Sequence, residues 1–125
     1  MNSPANLLYT KDHEWIKIEG NTCKIGITDF AQGELGDIVF MEMLEVGDNL
    51  KVGDSAGTIE AVKTVADVYS PIDGTISKIN EKLIDNPELI NSDPYGEGWI
   101  VMLDISDDVD NYSFLSAEEY KKFVG

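Results

Sequence analysis

Lysine is the residue type whose placement stands out. The nine basic residues are all lysines, and Lys63 is the only one between Lys51 and Lys78. Its neighbours Val62, Thr64 and Val65 are apolar or small, and it falls where a hairpin should turn. An amine at the tip of a tight turn is open from three sides. That is what a modifying enzyme needs to build an amide on one lysine among nine. The same placement suits a lysine that keeps an apolar strand edge soluble, and on spacing alone this second reading is the simpler.

The other candidates for chemistry are weaker. His13 and Cys23 are the sole histidine and cysteine. A serine triad would have to use His13, and there is no Gly-x-Ser-x-Gly elbow to present a nucleophile. A single thiol can form neither an intramolecular disulfide nor a cysteine metal cluster, so Cys23 reads as a core residue of a protein in a reducing compartment. Asp107, Asp108 and Asp110 could attract calcium, but they lack the glycine and terminal glutamate of an EF-hand loop and read as a solvated loop. Gly47, Gly53, Gly57 and Gly74 do not have phosphate-loop spacing and are expected at β-turns that require positive φ. Tyr95 and Trp99 could stack on a ligand, though Trp99 heads an alternating strand and reads more simply as core or rim.

These residues must be positioned by short strands. Apolar and polar residues alternate over 15–27, interrupted at Glu19-Gly20-Asn21-Thr22, which predicts a hairpin. Thr28 and Asp29 can cap a helix that Gly33 and Gly36 limit to one or two turns. Strands are expected over 37–43, 49–52 and 74–79. Residues 58–61 and 67–70 should form the arms of a hairpin joined through Val62-Lys63-Thr64-Val65, closed by Ser70-Pro71. Asn80 is expected to cap a brief helix over 81–84, which Pro87 stops or restarts. Trp99, Val101, Leu103 and Ile105 give the clearest period-two run. Ser116-Ala117-Glu118-Glu119 has the spacing of a capping box and predicts a C-terminal helix. The pattern is mainly β with short helices.

A chain of 125 residues with 42% hydrophobic content has material for one core and no room for a second, so 1–125 is expected to be a single domain. Its formal charge of −15 and its lack of arginine exclude the cationic face that nucleic acids require, and anionic membranes would repel it. Residues 1–6 lack the basic start and apolar core of a secretory signal. No stretch is long enough to span a bilayer as a helix. The expectation is a cytoplasmic protein.

The string Glu60-Ala61-Val62-Lys63-Thr64-Val65-Ala66-Asp67-Val68-Tyr69-Ser70-Pro71-Ile72-Asp73-Gly74 resembles the lipoyl-lysine hairpin of the glycine cleavage H-protein family. So do Asp12-His13-Glu14-Trp15, Gly26-Ile27-Thr28-Asp29-Phe30-Ala31, Leu35-Gly36-Asp37-Ile38-Val39, Asn91-Ser92-Asp93-Pro94-Tyr95-Gly96-Glu97-Gly98-Trp99 and Leu115-Ser116-Ala117-Glu118-Glu119-Tyr120, in the family's order. The resemblance covers nearly the whole chain. It implies a lipoyl-type barrel-sandwich hybrid of two small antiparallel sheets, with short helices and a C-terminal helix. It also implies that Lys63 carries lipoic acid as an amide, which removes one cation and takes the formal charge from −15 to −16.

The implied function is a shuttle rather than an enzyme. A pyridoxal-phosphate glycine decarboxylase loads an aminomethyl group on the arm, a tetrahydrofolate-dependent aminomethyltransferase unloads it with release of ammonia, and a flavin (FAD) dihydrolipoyl dehydrogenase reoxidises the arm. A tethered arm makes each transfer nearly intramolecular. Glu14 and Asp67 match acidic family positions near a pocket for the loaded arm, where carboxylates could hold the protonated amine. Asp12 stands where relatives often have serine and would strengthen the negative field. Glu60 and Val62 match positions read by the lipoate-attaching enzyme. Ala61 and Leu44 replace a frequent serine and proline. A carrier that docks with several partners in turn is expected to be a monomer.

Rival readings predict other residues. Biotin carriers flank their lysine with methionines, and lipoyl domains of 2-oxo acid dehydrogenases usually show Asp-Lys-Ala; neither matches Val62-Lys63-Thr64. A Cys23/His13 hydrolase would need a thiolate-favouring pocket. A plain interaction module would leave Lys63 unmodified.

Overall fold

Residues 3–106 and 112–125 are described by a computed structural model of the chain. In chain order the strands are β1 (Leu8–Tyr9), β2 (Glu14–Glu19), β3 (Thr22–Ile27), β4 (Ile38–Met43), β5 (Asn49–Leu50), β6 (Ser55–Ala61), β7 (Val65–Tyr69), β8 (Gly74–Ile79) and β9 (Val101–Asp104). Among the described residues the helices are α1 (Asp29–Leu35) after β3, α2 (Lys82–Asp85) and α3 (Leu89–Ser92) after β8, and the C-terminal α4 (Ala117–Val124).

Two antiparallel sheets face each other. One has the strand order β1-β2-β3-β9-β8-β5, the other β4-β6-β7. Their alternating strands turn one face inward, so Ile16, Ile25, Ile59, Ile76 and Leu103 meet in a common apolar core and are almost fully buried. The mainly β sandwich with short helices and a C-terminal helix is thus the fold observed.

A second, smaller cluster of Leu7, Tyr9, Trp15, Ala117 and Tyr120 seals the outer side of the larger sheet under α4. Tyr9 and Tyr120 stack with ring centroids 4.8 Å apart. The helix is fixed at its start by the expected capping box, in which Ser116 and Glu119 satisfy each other's backbone N–H groups.

The first hairpin turns at Gly20 with φ 58°, pairing Trp15 with Gly26 and Ile18 with Cys23. Several details depart from expectation. Asn80 does not cap α2 with its side chain; its amide donates to the carbonyls of Glu97 and Trp99, both at 2.7 Å, and so staples the 94–98 turns to β8. Gly47 and Gly53 do have positive φ, but Gly57 and Gly74 do not. They lie in strands where a side chain would collide: a Cβ on Gly74 would stand 2.8 Å from the Asp104 carbonyl oxygen. The 49–52 strand shortens to β5, whereas β1 and α3 carry too few residues for a periodic signal.

Candidate functional site

Lys63 sits at the tip of the β6–β7 hairpin. Glu60 pairs with Val65, Ala61 N–H donates to the Thr64 carbonyl at 2.8 Å, and Val62-Lys63 form the two-residue turn. The expected connection is therefore shorter, because Val65 and Ala66 already belong to β7. Val62 N–H donates to the Asp37 carbonyl at 3.0 Å, which ties the tip to the entry of β4. The turn is held from both sides while its side chains remain free: Val62 is 68% exposed, and Lys63 is exposed. Two ion pairs occur among the described residues, Lys17–Glu19 and Lys82–Glu97, so Lys63 is in neither.

Glu60 is also exposed, opposite Phe40 on β4 and Val65 on β7. With Phe40 46% and Val65 61% exposed, the outward face near the tip combines one carboxylate with apolar side chains.

Beside the tip, a groove of about 390 Å³ runs between Lys63 and the C-terminal end of α1, lined by Glu34, Leu35 and Asp37. Glu34 and Leu35 also line a cleft of about 420 Å³. Groove and cleft therefore share a wall at Glu34 and Leu35. On one side the cleft is formed by α1 through Phe30 and Ala31, on the other by Ile59, Ala66 and Val68 of the smaller sheet. Asp12, His13 and Glu14 close its end.

The wall supplied by α1 is built from the sequence upward. Thr28, in an extended conformation, caps the helix by accepting from Ala31 N–H at 3.2 Å. Gly36 ends it with φ 77°. Asn91 of α3 donates to Gln32 Oε1 and the Gly36 carbonyl and accepts from Ile38 N–H, joining the end of α1 to β4. Tyr95 accepts from Asp29 N–H at 2.9 Å, and Trp15 donates to the Pro94 carbonyl at 2.9 Å. Tyr95 and Trp99 thus pack with the second cluster, as core and rim.

Asp12, Glu14 and Asp67 all reach this cleft, but in different states. Glu14 is only 2% exposed. It accepts from the Thr10 hydroxyl at 2.7 Å and, at 3.4 Å, from Tyr69 N–H. Burial pushes its carboxyl up to about 7, opposed by these two hydrogen bonds. Asp67 stands at the rim on β7, where its carboxylate accepts from Thr58 Oγ1 at 2.9 Å. Asp12 is exposed, and its charge raises the proton affinity of both Glu14 and His13.

His13 also faces this end of the cleft and does not act with Cys23. Cys23 is fully buried in the main core, and burial pushes its thiol up to about 12, the opposite of what a nucleophile needs. Desolvation lowers the proton affinity of His13. Asp107, Asp108 and Asp110 lie outside the described residues. Among the described residues, no cluster of histidine, cysteine and carboxylate side chains could hold a metal ion, and no helix is long and apolar enough to cross a membrane.

A two-sheet sandwich that projects one lysine on a pinned hairpin, beside a groove that shares a wall with an acidic cleft, has the features of a carrier domain. Comparison with known proteins makes this specific. The family model for the glycine cleavage H-protein matches residues 7–125. The chain is 49% identical over 125 residues to the glycine cleavage system H protein of Staphylococcus haemolyticus (strain JCSC1435), covering 100% of this chain and 99% of that protein. It is 52% identical over 120 residues to that of Coprothermobacter proteolyticus (strain ATCC 35245 / DSM 5265 / OCM 4 / BT), covering 95% and 94%. The crystal structure of a glycine cleavage system H protein from Mycobacterium marinum superposes with a TM-score of 0.87 at 38% identity, covering 95% of this chain and 96% of that one. The chain belongs to the glycine cleavage H-protein family. Its function is the family's, a lipoate-carrying subunit of the glycine cleavage system.

The residues missed from the sequence are those that build the walls. Asn91, Thr28 and Tyr120 act on partners far along the chain, and no local spacing announces such contacts. Thr28 alone left a signal, as a helix cap.

Proposed function

We propose that Lys63 bears lipoic acid in amide linkage and that the loaded arm folds back along the groove into the cleft walled by Glu14, Asp12 and Asp67. The observation that supports this reading is that the Lys63 groove and that cleft lie side by side, sharing Glu34 and Leu35 as lining residues. The surroundings suit the group. The amine is exposed at the pinned tip, and the apolar walls from Phe30, Ile59 and Val68 can cover a hydrocarbon arm. When attached, the dithiolane supplies the sulfur chemistry that accepts and releases the aminomethyl group.

The chain's own residues do the rest. The hairpin holds the attachment point, Glu60 and Val62 offer side chains to the lipoate-attaching enzyme, and the cleft limits access of water to the loaded arm. Glu14 and Asp67 supply carboxylates for the protonated amine, with Asp12 adding to the negative field. Glu14 has to lose its proton to take that cation, since it titrates at about 7.

The partners that fit are glycine decarboxylase, aminomethyltransferase, dihydrolipoyl dehydrogenase and the lipoate-attaching enzyme. The carrier acts as a single domain over 1–125, as a monomer, in the cytoplasm. The test is an intact mass with peptide mapping after incubation with a lipoate-attaching enzyme, lipoate and ATP. A lipoyl increment on Lys63 that disappears in Lys63→Ala is expected. A folded wild-type chain that gains no mass, with the enzyme active on another acceptor, would make Lys63 a solubility lysine.

A further inference from the structure

His13 is the only non-glycine residue with positive φ among the described residues, at 67°. Nothing in a carrier hairpin requires such a conformation here, and side chains without special support avoid it. The support comes from four sides. His13 N–H donates to the Thr10 carbonyl at 3.1 Å, and its own carbonyl accepts from Thr28 N–H at 3.0 Å. The ring lies 4.8 Å from Phe30 of α1 and 5.9 Å from Phe123 of α4. Its Nδ1 is 2.8 Å from the hydroxyl of Tyr120, also on α4.

That hydroxyl is the junction. Tyr120 is fully buried, and its oxygen lies 2.7 Å from Thr28 Oγ1 as well. Thr28 in turn caps α1. One phenol on the C-terminal helix therefore ties together the turn that carries Asp12, His13 and Glu14 and the helix that forms one side wall of the cleft. The bridge serves either protonation state of the histidine. With Nδ1 unprotonated, Tyr120 donates to His13 and Thr28 donates to Tyr120. With Nδ1 protonated, both bonds reverse and Thr28 still accepts from Ala31 N–H.

We propose that Tyr120 is a positioning residue for the cleft: acting through His13 and Thr28, it holds Glu14 in its desolvated place and fixes the closed end of the cleft against its α1 wall. Tyr120 does not itself line the cleft and reaches it through His13, and the role of Glu14 toward the loaded arm rests on the function proposed above. The C-terminal helix is on this account part of the arm's shelter.

The test is Tyr120→Phe, which keeps the ring stacked on Tyr9 and removes the bridge. Two readouts are followed on the full chain: the titration of Glu14 by carboxyl-selective NMR on unmodified protein, and the lifetime of the aminomethyl arm on lipoylated protein loaded by glycine decarboxylase. The Glu14 midpoint is expected to fall by about one unit toward the ordinary carboxylate range. The loaded arm should decay several-fold faster, with Lys63 lipoylation unchanged. Should Tyr120→Phe fail to fold, His13→Asn, which tolerates the backbone but loses the ring, should shift Glu14 in the same direction. A Glu14 titration unaltered in the folded variants overturns the proposal. A shifted titration with a wild-type arm no better protected than a free lipoyl peptide supports the positioning and removes the shelter instead.

Discussion

Glu14 concentrates the tension in this molecule. A carboxyl only 2% exposed is costly to ionise, and its proton affinity rises to about 7. In the unfolded chain it titrates near 4.5. Between these values the folded state binds more protons than the unfolded one, so its contribution to stability is full below about 4.5 and is lost as the pH rises through about 7. Glu14→Gln removes this loss. At pH 8 the variant is expected to be more stable than wild type by about 1–3 kcal/mol, reduced because the amide nitrogen turns away the Tyr69 N–H. At pH 4 the two should match or the wild type should lead. Denaturant midpoints at both values decide; parallel curves would show that Glu14 does not titrate differently in the two states. The same substitution should shorten the lifetime of the loaded arm. A residue that costs stability at neutral pH and lines a cleft is a candidate for a role that needs its charge, as proposed above.

Among the elements, the β2–β3 hairpin shows how one position transmits to another. Trp15 faces Gly26 across the ladder, and its indole lies where a Cβ on Gly26 would be, 2.5 Å from Nε1. The indole cannot withdraw without breaking its bond to the Pro94 carbonyl. Gly26→Ala is therefore expected to cost about 1–3 kcal/mol by overpacking. It should also shift the tryptophan fluorescence, as the indole loses its acceptor. An unchanged denaturation midpoint would mean that this wall is softer than the contacts suggest. The α1 wall is similarly legible only in part. Its cap at Thr28 and stop at Gly36 follow from residue type, but Asn91 reaches it from 55 residues away, and amide side chains at such distances leave no periodic trace.

Over the whole molecule, charge is the dominant feature. With a formal −15 and two ion pairs among the described residues, most carboxylates face water uncompensated. Such a surface repels itself and steers basic partners. Two opposite salt effects should follow between about 0.02 M and about 0.5 M salt: the thermal midpoint of the isolated chain should rise, while association with glycine cleavage partners should weaken. Light scattering-free melting curves and binding titrations at the two salt levels test both. Salt-insensitive association would mean that docking rests on the apolar side chains around the hairpin tip, such as Phe40, Val62 and Val65.

The sequence by itself determined the strand pattern, the first hairpin, the caps at Thr28 and Ser116 and the singular position of Lys63. These depend on neighbours within a few residues, where periodicity, turn chemistry and capping act directly. It also held the family resemblance, spread in order along the chain. Only the tertiary structure decided that the lysine groove and the acidic cleft share Glu34 and Leu35, that Glu14 is desolvated while Asp67 stays at the rim, and that Tyr120 bridges His13 to Thr28. His13 and Tyr120 are 107 residues apart. Their meeting depends on closing the large sheet and laying the last helix across it, so no local pattern encodes it. Burial and long-range hydrogen bonds are properties of the assembled fold, and the chemistry of the cleft is set by them.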